Sequence, residues 1–401
     1  MTGDAFRKGD LIIRNLRPLG GAATDIEIRA GRIAAIGRVA QTNAPVEDAG
    51  GAIAIPALVE AHTHMDKTLW GLPWRPHQAG PRLIDKIENE RAYRRDNAFD
   101  PARASRTQAL RQLALGATAI RSHVDVDTEI GTRHVEGVAA TREALRGLID
   151  IEIVAFPQSG MLIRPGTAEL MDAALAGEAD VVGGLDPSAI DRDPVKHLDV
   201  VFGLAEKHGK PVDIHLHEPG ELGAFAMDLI IERTRALGMQ GKVVVSHGFC
   251  LAMVDEARLG GLIEGLAEAG IAVMTTAPAN RDLPPVKRLR EGGVVVCGGS
   301  DGVRDTWGPY GNGDMLERAM LIAWRSGFRR DDEIEMCLDV CCAGGAAALG
   351  LADYGLTLGA RGDMVLLRAE AVAQAVVERA PRQAVIRAGR VVAREGRVLE
   401  G

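Results

Sequence analysis

The feature that most constrains the fold is a repeated alternation of short apolar strands with helix-like stretches across the middle of the 401-residue chain. Runs such as Val243-Val244-Val245 are apolar without alternation, which is typical of parallel strands buried on both faces. Eight strands of this kind are predicted, at residues 53–61, 117–125, 150–157, 180–185, 211–217, 242–247, 271–276 and 293–300. Eight consecutive β/α units predict an α/β fold of the (β/α)8 TIM-barrel type.

Two helices have clear end signals. Asp100 is a predicted N-cap with Pro101 in the first helical position, so a helix is expected over 101–115. A second helix over 195–208 should end at Gly209. An open doubly wound sheet is the alternative fold, but no glycine-rich dinucleotide fingerprint follows an early strand.

The two ends of the chain have a different pattern, with short alternating strands and tight turns at Ala30-Gly31 and Ala388-Gly389. Chain ends usually lie close together, so both ends are expected to build one small β-sandwich. The predicted domains are therefore 1–56 with 356–401 for the sandwich and 57–355 for the barrel.

Composition excludes several classes of function. The net charge is −8 and no basic block occurs, which argues against nucleic acid or an anionic membrane as a partner. The five cysteines are odd in number and lack metal-finger spacing, and no apolar leader or membrane-spanning run is seen. A cytoplasmic, reduced protein is expected. A homo-oligomer is also expected, although no surface patch marks an interface.

The chemistry begins with His62 and His64, which end the first predicted barrel strand. Side chains at i and i+2 of a strand share one face, so both imidazoles can hold one metal ion. Active sites of such barrels lie at the C-terminal strand ends, where most of the other strands also end in polar residues. These residues are His123 and Asp125 on strand two, Gln158 on strand three, His215, His217 and Glu218 on strand five, His247 on strand six and Asp301 on strand eight.

The predicted metal ligands are His62, His64, His215 and Asp301. Three imidazoles and a carboxylate suit one Zn²⁺ or Fe²⁺ ion with a position left for water. A binuclear site would need a lysine at the end of strand four, and residues 180–186 contain none. One divalent metal ion per chain is therefore expected, and it would generate a hydroxide nucleophile.

Three residues are predicted to carry the proton transfers and charge stabilisation. Glu218 would take the proton of the attacking water and pass it to a leaving amine. His247 would polarise the substrate or stabilise developing charge, and Asp301 could also shuttle a proton. Lys67 could contact the substrate or only cap a loop. His123 and His217 could each contact the substrate or support the site. His217 could also be a metal ligand.

The other histidines are assigned no part in the chemistry. His77, His197 and His208 fall on loops or helices and are expected to be ordinary surface residues. His134 begins a helix and is expected to be structural.

Together these motifs resemble the amidohydrolase superfamily, and within it the cytosine deaminase branch and the N-isopropylammelide aminohydrolase type. The segments that match the cytosine deaminase branch are 60–67, 121–125, 154–158, 213–218, 246–247 and 300–307. Lys67, His217 and the segments 180–187 and 311–315 resemble the N-isopropylammelide type, which lacks the glutamate found here at position 218. The resemblance implies a (β/α)8 barrel with a β-sandwich and a mononuclear site. It also implies that Gln158 binds the amide edge of a heterocycle, with Phe156 and Trp307 near the ring. One departure is Gly302, where cytosine deaminases carry a second aspartate, and this puts cytosine itself in doubt.

The leading hypothesis is a metal-dependent deaminase of a small N-heterocycle, in which hydroxide attacks a ring carbon and ammonia leaves. The first alternative releases an N-alkylamine from an aminotriazine. A ring-opening cyclic amidase is a further alternative, against which the missing strand-four lysine counts. A non-catalytic scaffold is the hypothesis from another class, and the intact set of candidate ligands argues against it.

Overall fold

The computed structural model describes residues 9–39 and 43–399 and contains two sheets. The first sheet joins both ends of the chain and the second is a barrel. The strands are β1 (Leu11–Pro18), β2 (Thr24–Arg29), β3 (Arg32–Gly37), β4 (Val46–Asp48), β5 (Ile53–Pro56), β6 (Leu58–Thr63), β7 (Ala117–Asp125), β8 (Asp150–Phe156), β9 (Val181–Leu185), β10 (Val212–Leu216), β11 (Val243–His247), β12 (Ala272–Thr275), β13 (Val296–Gly298), β14 (Met364–Leu367), β15 (Arg382–Arg387), β16 (Arg390–Arg394) and β17 (Arg397–Val398).

The helices lie mainly between the barrel strands. They are α1 (Leu83–Asp96), α2 (Pro101–Ala114), α3 (Arg133–Ala144), α4 (Thr167–Ala176), α5 (Pro194–His208), α6 (Gly220–Ala236), α7 (Glu256–Glu268), α8 (Val286–Glu291), α9 (Met315–Arg325), α10 (Asp331–Val340), α11 (Ala343–Ala348) and α12 (Val372–Val377). Two short 3₁₀ helices span Met65–Lys67 and Phe249–Ala252.

Strands β6 to β13 pair in chain order, and every pairing between them is parallel. The barrel is closed by a parallel bridge between Thr63 and Asp301, and the amide of Asp301 donates to the carbonyl of His62 over 3.0 Å. This closure confirms the predicted (β/α)8 barrel and brings the first and last strand ends together.

One predicted strand is wrong in its extent. The run 53–61 is two strands, because β5 joins the terminal sheet and only β6 belongs to the barrel. Pro56 ends β5, and proline lacks the N–H that a continuing central strand would need. The last barrel strand, β13, is also shorter than the predicted run 293–300.

Both predicted helix ends are confirmed. The carboxylate of Asp100 accepts hydrogen bonds from the amides of Ala102 and Arg103 at the start of α2. Gly209 follows α5 with φ of 64°, a left-handed conformation that glycine adopts without strain.

The core of the barrel is built from aliphatic side chains, as 3% aromatic residues require. All five residues of β11 are buried, and the first three are the apolar run Val243-Val244-Val245. Leu198, Val201 and Phe202 form the buried stripe of α5 against the barrel. The strands are thus held rigidly from outside, and this fixes their C-terminal ends.

The terminal sheet has its own apolar cluster, which includes Ile13, Ile26, Met364 and Ile386. The two predicted hairpin turns at residues 30–31 and 388–389 are present with positive φ values. Strands from both chain ends share the sheet, which confirms the predicted architecture. The residue bounds predicted for the two domains stay a prediction.

The five cysteines are all buried and unpaired, in agreement with a reduced protein. Within residues 9–39 and 43–399, no helix combines the length and the hydropathy needed to cross a membrane. The cytoplasmic location and the homo-oligomer stay predictions.

Candidate active site

The predicted metal ligands converge at the C-terminal end of the barrel. Nε2 of His64 lies 3.2 Å from Oδ1 of Asp301 and 3.4 Å from Nε2 of His215. Nε2 of His62 lies 3.7 Å from the same Asp301 oxygen. Three strand ends, those of β6, β10 and β13, therefore bring the four ligand atoms to one point.

His247, predicted for catalysis, lies equally close to this point. One ligand atom each from His62, His215, His247 and Asp301 falls within 4.8 Å of the others. The cluster therefore holds five candidate ligands, namely His62, His64, His215, His247 and Asp301.

The Nδ1 atoms of His62 and His64 are both held by acceptors outside the cluster. Ser246 Oγ donates to Asp213 over 2.7 Å, so the hydroxyl oxygen is left to accept from His62 Nδ1 at 2.9 Å. Nδ1 of His64 donates to the carbonyl of His123 over 3.1 Å. Both imidazoles consequently present the lone pair of Nε2 to the cluster, as metal-binding histidines do.

The donor set fits a divalent cation. Nε2 of His62, Nδ1 of His215 and both ring nitrogens of His247 are buried without a hydrogen-bond partner. Buried polar atoms are nearly always satisfied, and acceptor atoms that face each other at 3–4 Å repel. A cation bound among the ligand atoms would remove the repulsion and give Nε2 of His62 a partner, although it can bind only one ring nitrogen of each histidine.

Two residues of the cluster have a strained backbone. His247 has φ of 73° and Asp301 has φ of 61°, values that only glycine adopts freely. Such positions cost about 1–3 kcal/mol each and occur where the surrounding structure imposes them. Here the left-handed turn follows directly after a rigid strand and sets the direction of the ligand side chain.

Glu218 lies just beyond β10 and is 1% exposed. Its Oε1 accepts hydrogen bonds from the amides of Ser188 and Ala189 at 2.6 and 2.7 Å, whereas Oε2 is buried without a partner. Burial raises the pKa of Glu218 to about 7, although the two amides oppose the shift. A carboxylate with that pKa can accept and return a proton near neutral pH.

A second polar cluster surrounds Lys67 on the strand-one loop. Its Nζ donates to Asp125 at 2.7 Å and to Gln158 Oε1 at 2.9 Å, and it lies 3.5 Å from Glu90. Burial lowers the pKa of Lys67, but the charges of Asp125 and Glu90 outweigh burial and raise it above its ordinary value. Lys67 is therefore a fixed cation, and its bond to Oε1 orients the Gln158 amide group.

Trp307 joins this cluster through its indole Nε1, which donates to Glu90. The indole ring also lies beneath Nζ of Lys67, which is 5.8 Å from the ring centroid. The structure thus brings Lys67, Gln158 and Trp307 together. Their predicted contacts with a substrate stay a prediction.

Phe156 and His123 lie deeper, behind the ligand histidines. Phe156 is fully buried and stacks on the ring of His215 with centroids 4.1 Å apart. His123 is fully buried 4.1 Å from the ring of His62, and burial lowers its pKa to about 3. Their predicted contacts with the substrate stay a prediction.

His217 faces the mouth of the barrel. Its Nδ1 lies 2.8 Å from Asp186, and its ring stacks on His247 at 4.2 Å. A cavity of about 300 Å³ opens beside it, with Pro219, Phe249, Met253, Arg281 and Arg325 among its other lining residues. Of the predicted site residues, His217 is the one that lines this cavity, which is large enough for several non-hydrogen atoms.

Glu90 and Arg94 were missed by the sequence analysis. Both lie on α1, an extra helix in the loop after barrel strand one, and both contact Asp125 or its partner Lys67. They are spaced i,i+4, which places them on one face of a helix. Leu83 and Ile87 lie on the same face and pack in an apolar cluster with Phe156, so they also indicated which face of α1 is buried.

The expectation that His197 is a surface residue is wrong. It is completely buried, and its Nδ1 bonds to Asp191 at 2.6 Å. His134 bonds to Asp66 at 2.8 Å in a buried pair, which agrees with the structural part expected for it.

The profile of the amidohydrolase family matches residues 45–393 of this sequence. The chain belongs to the amidohydrolase family. The predicted superfamily is thereby confirmed, and with it the prediction that the protein is a hydrolase. Enzymes of this superfamily bind a divalent metal, in agreement with the donor set found here.

Several relatives cover nearly the whole chain. The crystal structure of N-isopropylammelide isopropylaminohydrolase from Burkholderia multivorans ATCC 17616 is 52% identical with a TM-score of 0.95, over 98% of this chain and 100% of that one. N-isopropylammelide isopropyl amidohydrolase of Pseudomonas sp. (strain ADP) is 31% identical over 396 residues, 96% of this chain and 98% of the relative.

A deaminase is also among the relatives of this amidohydrolase. The structure of 5-methylcytosine deaminase from Klebsiella pneumoniae, liganded with 5-fluorocytosine, is 28% identical with a TM-score of 0.85, over 97% of this chain and 98% of that one. The relatives thus include enzymes for both leaving groups considered in the sequence analysis.

Proposed function

We propose that this amidohydrolase cleaves the exocyclic C–N bond of an N-alkylated hydroxytriazine of the N-isopropylammelide kind and releases the alkylamine. The observation that carries the proposal is the cavity of about 300 Å³ beside His217, at the edge of the histidine cluster. Ammonia needs no such space, whereas an alkyl group on the leaving nitrogen does. The 52% identity to an N-isopropylammelide isopropylaminohydrolase supports the same substrate class.

His62, His64, His215 and Asp301 would hold one divalent ion, Zn²⁺ or Fe²⁺. When bound, such an ion lowers the pKa of water and supplies the nucleophile at neutral pH. The hydrogen bonds of Ser246 and of the His123 carbonyl keep both Nε2 atoms of the strand-one pair unprotonated for that purpose.

Glu218 would move the proton. In the ionised form its free Oε2 accepts the proton of the attacking water while Oε1 stays on two amides. It then donates that proton to the departing nitrogen, so one carboxylate serves as base and acid. His247 would stabilise the charge that develops on the ring carbon's substituents, and Asp301, at the cluster, could also shuttle a proton.

Lys67 and Gln158 would bind the ring. A hydroxytriazine in its keto form presents carbonyl oxygens and N–H groups, and it therefore needs donors and acceptors side by side. With Lys67 Nζ bonded to its Oε1 at 2.9 Å, the Gln158 carboxamide still offers the N–H donors of Nε2 and one lone pair of Oε1. Trp307 would lie against the ring edge, with Phe156 and His123 behind the ligand histidines and His217 toward the leaving amine.

The second candidate is release of ammonia from a cytosine-like pyrimidine. Two observations favour it, namely a Glu218 poised near neutral pH and the similarity to 5-methylcytosine deaminase. Gly302 counts against it, because its missing side chain removes a carboxylate that cytosine deaminases carry.

Product analysis separates the two candidates. Zinc- and iron-loaded protein is incubated with N-isopropylammelide, its unalkylated analogue, cytosine and 5-methylcytosine, and both isopropylamine and ammonia are quantified. We expect isopropylamine from the alkylated triazine at a kcat/KM at least tenfold above any ammonia release, and no product with His62→Ala. Faster ammonia release from a pyrimidine would overturn the proposal in favour of the second candidate.

A further inference from the structure

The loop after β9 is bound to the segment that carries two site residues. The amide of Asp186 donates to the carbonyl of His215 over 3.0 Å, and the amide of His217 donates to Asp186 Oδ1 over 2.6 Å. Asp186 Oδ2 lies 2.8 Å from Nδ1 of His217. Two residues further along, the loop amides bind Glu218. The fourth barrel strand, β9, lacks a metal ligand, but the loop after it thus supports the site residues that follow β10, the fifth barrel strand.

Asp186 makes this contact with His217 from a strained backbone conformation. It is 1% exposed and has φ of 34°, a left-handed value that costs about 1–3 kcal/mol for a residue other than glycine. Both carboxylate oxygens bond to His217 and none of their hydrogen bonds caps the loop itself. A residue that served only the loop turn would not need to direct both oxygens at a neighbouring strand.

The carboxylate decides which ring nitrogen of His217 is free. An ionised carboxylate only accepts hydrogen bonds, so Nδ1 carries the proton and Nε2 is left for the site. The side chain of His217 is 27% exposed beside the cavity and stacks on His247. With Asp186 in place, the ring is held in one orientation and presents one defined nitrogen.

We propose that Asp186 is a positioning residue that acts through His217, fixing its ring so that Nε2 faces the leaving amine of the substrate. The inference rests on the proposed function, because the role assigned to Nε2 requires an amine to leave into the cavity. It goes beyond that function by assigning a task to a residue that touches neither the metal ligands' donor atoms nor the substrate.

The first test is independent of turnover. The zinc-loaded protein is labelled with ¹⁵N-histidine, and the proton on His217 is located by two-bond ¹H–¹⁵N correlation, with His217→Gln identifying the signal. We expect a protonated Nδ1 in the parent protein and loss of that single state in Asp186→Asn. A His217 that carries its proton only on Nε2 in the parent overturns the proposal, whether or not any substrate is turned over.

Asp191→Asn is the matched control. Asp191 also bonds to a buried histidine, His197, and it lies in the same loop, but it does not contact residues 215–218. We expect the His217 signal of the Asp191→Asn protein to match the His217 signal of the parent protein. The same change in both variants would mean that the signal reports general loosening of the loop, and it too would overturn the proposal.

The second test is a double-mutant cycle on amine release. Asp186→Asn should lower kcat about 10–100-fold with bound zinc unchanged, and Asp191→Asn should lower it less than threefold. If Asp186 acts through His217, the double variant Asp186→Asn/His217→Gln should be within about twofold of His217→Gln alone. If the kcat reductions of the two single variants multiply in the double variant, the assignment is refuted. A parent protein that releases no amine would refute the proposed function, and the histidine measurement would then decide the role of Asp186.

Discussion

Replacing Glu218 with glutamine tests the central proton transfer. The side chain keeps its length. In the parent protein the amide nitrogens of Ser188 and Ala189 lie 2.6 and 2.7 Å from Glu218 Oε1, and the Oε1 of glutamine can still accept both hydrogen bonds. The nitrogen that replaces Oε2 cannot take up a proton. The fold and the metal cluster should therefore survive while the general base is lost.

The size of the effect follows from that loss. General acid–base catalysis by a placed carboxylate contributes about 10²–10⁴-fold. Each factor of ten in rate corresponds to about 1.4 kcal/mol, so the barrier should rise by about 3–5 kcal/mol. We expect kcat to fall by this factor, with bound zinc and thermal midpoint unchanged.

The pH profile gives a second, independent signature. Burial raises the pKa of Glu218 to about 7, and the base must be ionised to act. In the parent protein kcat/KM should therefore fall as the pH drops through about 7, and by about tenfold per unit below it. The residual activity of Glu218→Gln should lack this acid limb.

Amine release is measured under single-turnover and steady-state conditions, with Glu221→Gln as the control. Glu221 begins the next helix only three residues away, but it is exposed and lies 3.5 Å from Arg258 at the surface. A Glu218→Gln protein within fivefold of the parent in kcat, or one that keeps the acid limb, would refute the assignment of the base.

Two further predictions concern the support of the site and the barrel. Ser246→Ala removes the hydroxyl that holds Nδ1 of His62, so the affinity for zinc, measured by chelator competition, should fall about 10–100-fold. Ser105→Ala deletes a buried hydroxyl that bonds to Thr141 instead, and it should leave the zinc affinity unchanged. Equal affinity in both variants would contradict the tautomer argument. Phe202→Ala should lower the free energy of unfolding in urea by about 3–5 kcal/mol, because the ring is 2% exposed in the main core; the exposed Val195 on the same helix, changed to alanine, should cost less than about 1 kcal/mol.

Much of the fold was readable from the sequence, because parallel strands buried on both faces leave a strong apolar signal. The candidate ligands were readable for a related reason, since C-terminal strand ends of a barrel meet at one point. Pro56 is the signal in the sequence that divides the first predicted strand. The error arose because an apolar run by itself does not say which sheet a strand joins.

What could not be predicted depends on contacts between distant loops. Glu90 lies on a helix that is mostly polar, and its carboxylate is buried because it pairs with Lys67, beside the apolar contacts of Ile87. His197 is buried because Asp191, six residues earlier, folds back to bond its ring. In both cases a buried polar residue is defined by its partner, and a single sequence does not show partners that tertiary structure creates.

The backbone conformation explains why the sequence indicated which residues lie at the strand ends but not the direction in which their side chains point. Asp186, His247 and Asp301 all have positive φ, and they follow or end β9, β11 and β13. Each strand is fixed by the barrel, so a single left-handed residue at its end can redirect a side chain without disturbing the core. The combined cost of about 3–9 kcal/mol is large beside the typical net stability of a domain, and only a rigid, extensively buried barrel can offset it. Positive φ alone does not mark a site, because Ala30 and Ala388 adopt it in hairpin turns; at Asp186, His247 and Asp301 it coincides with polar side chains at the C-terminal end of the barrel.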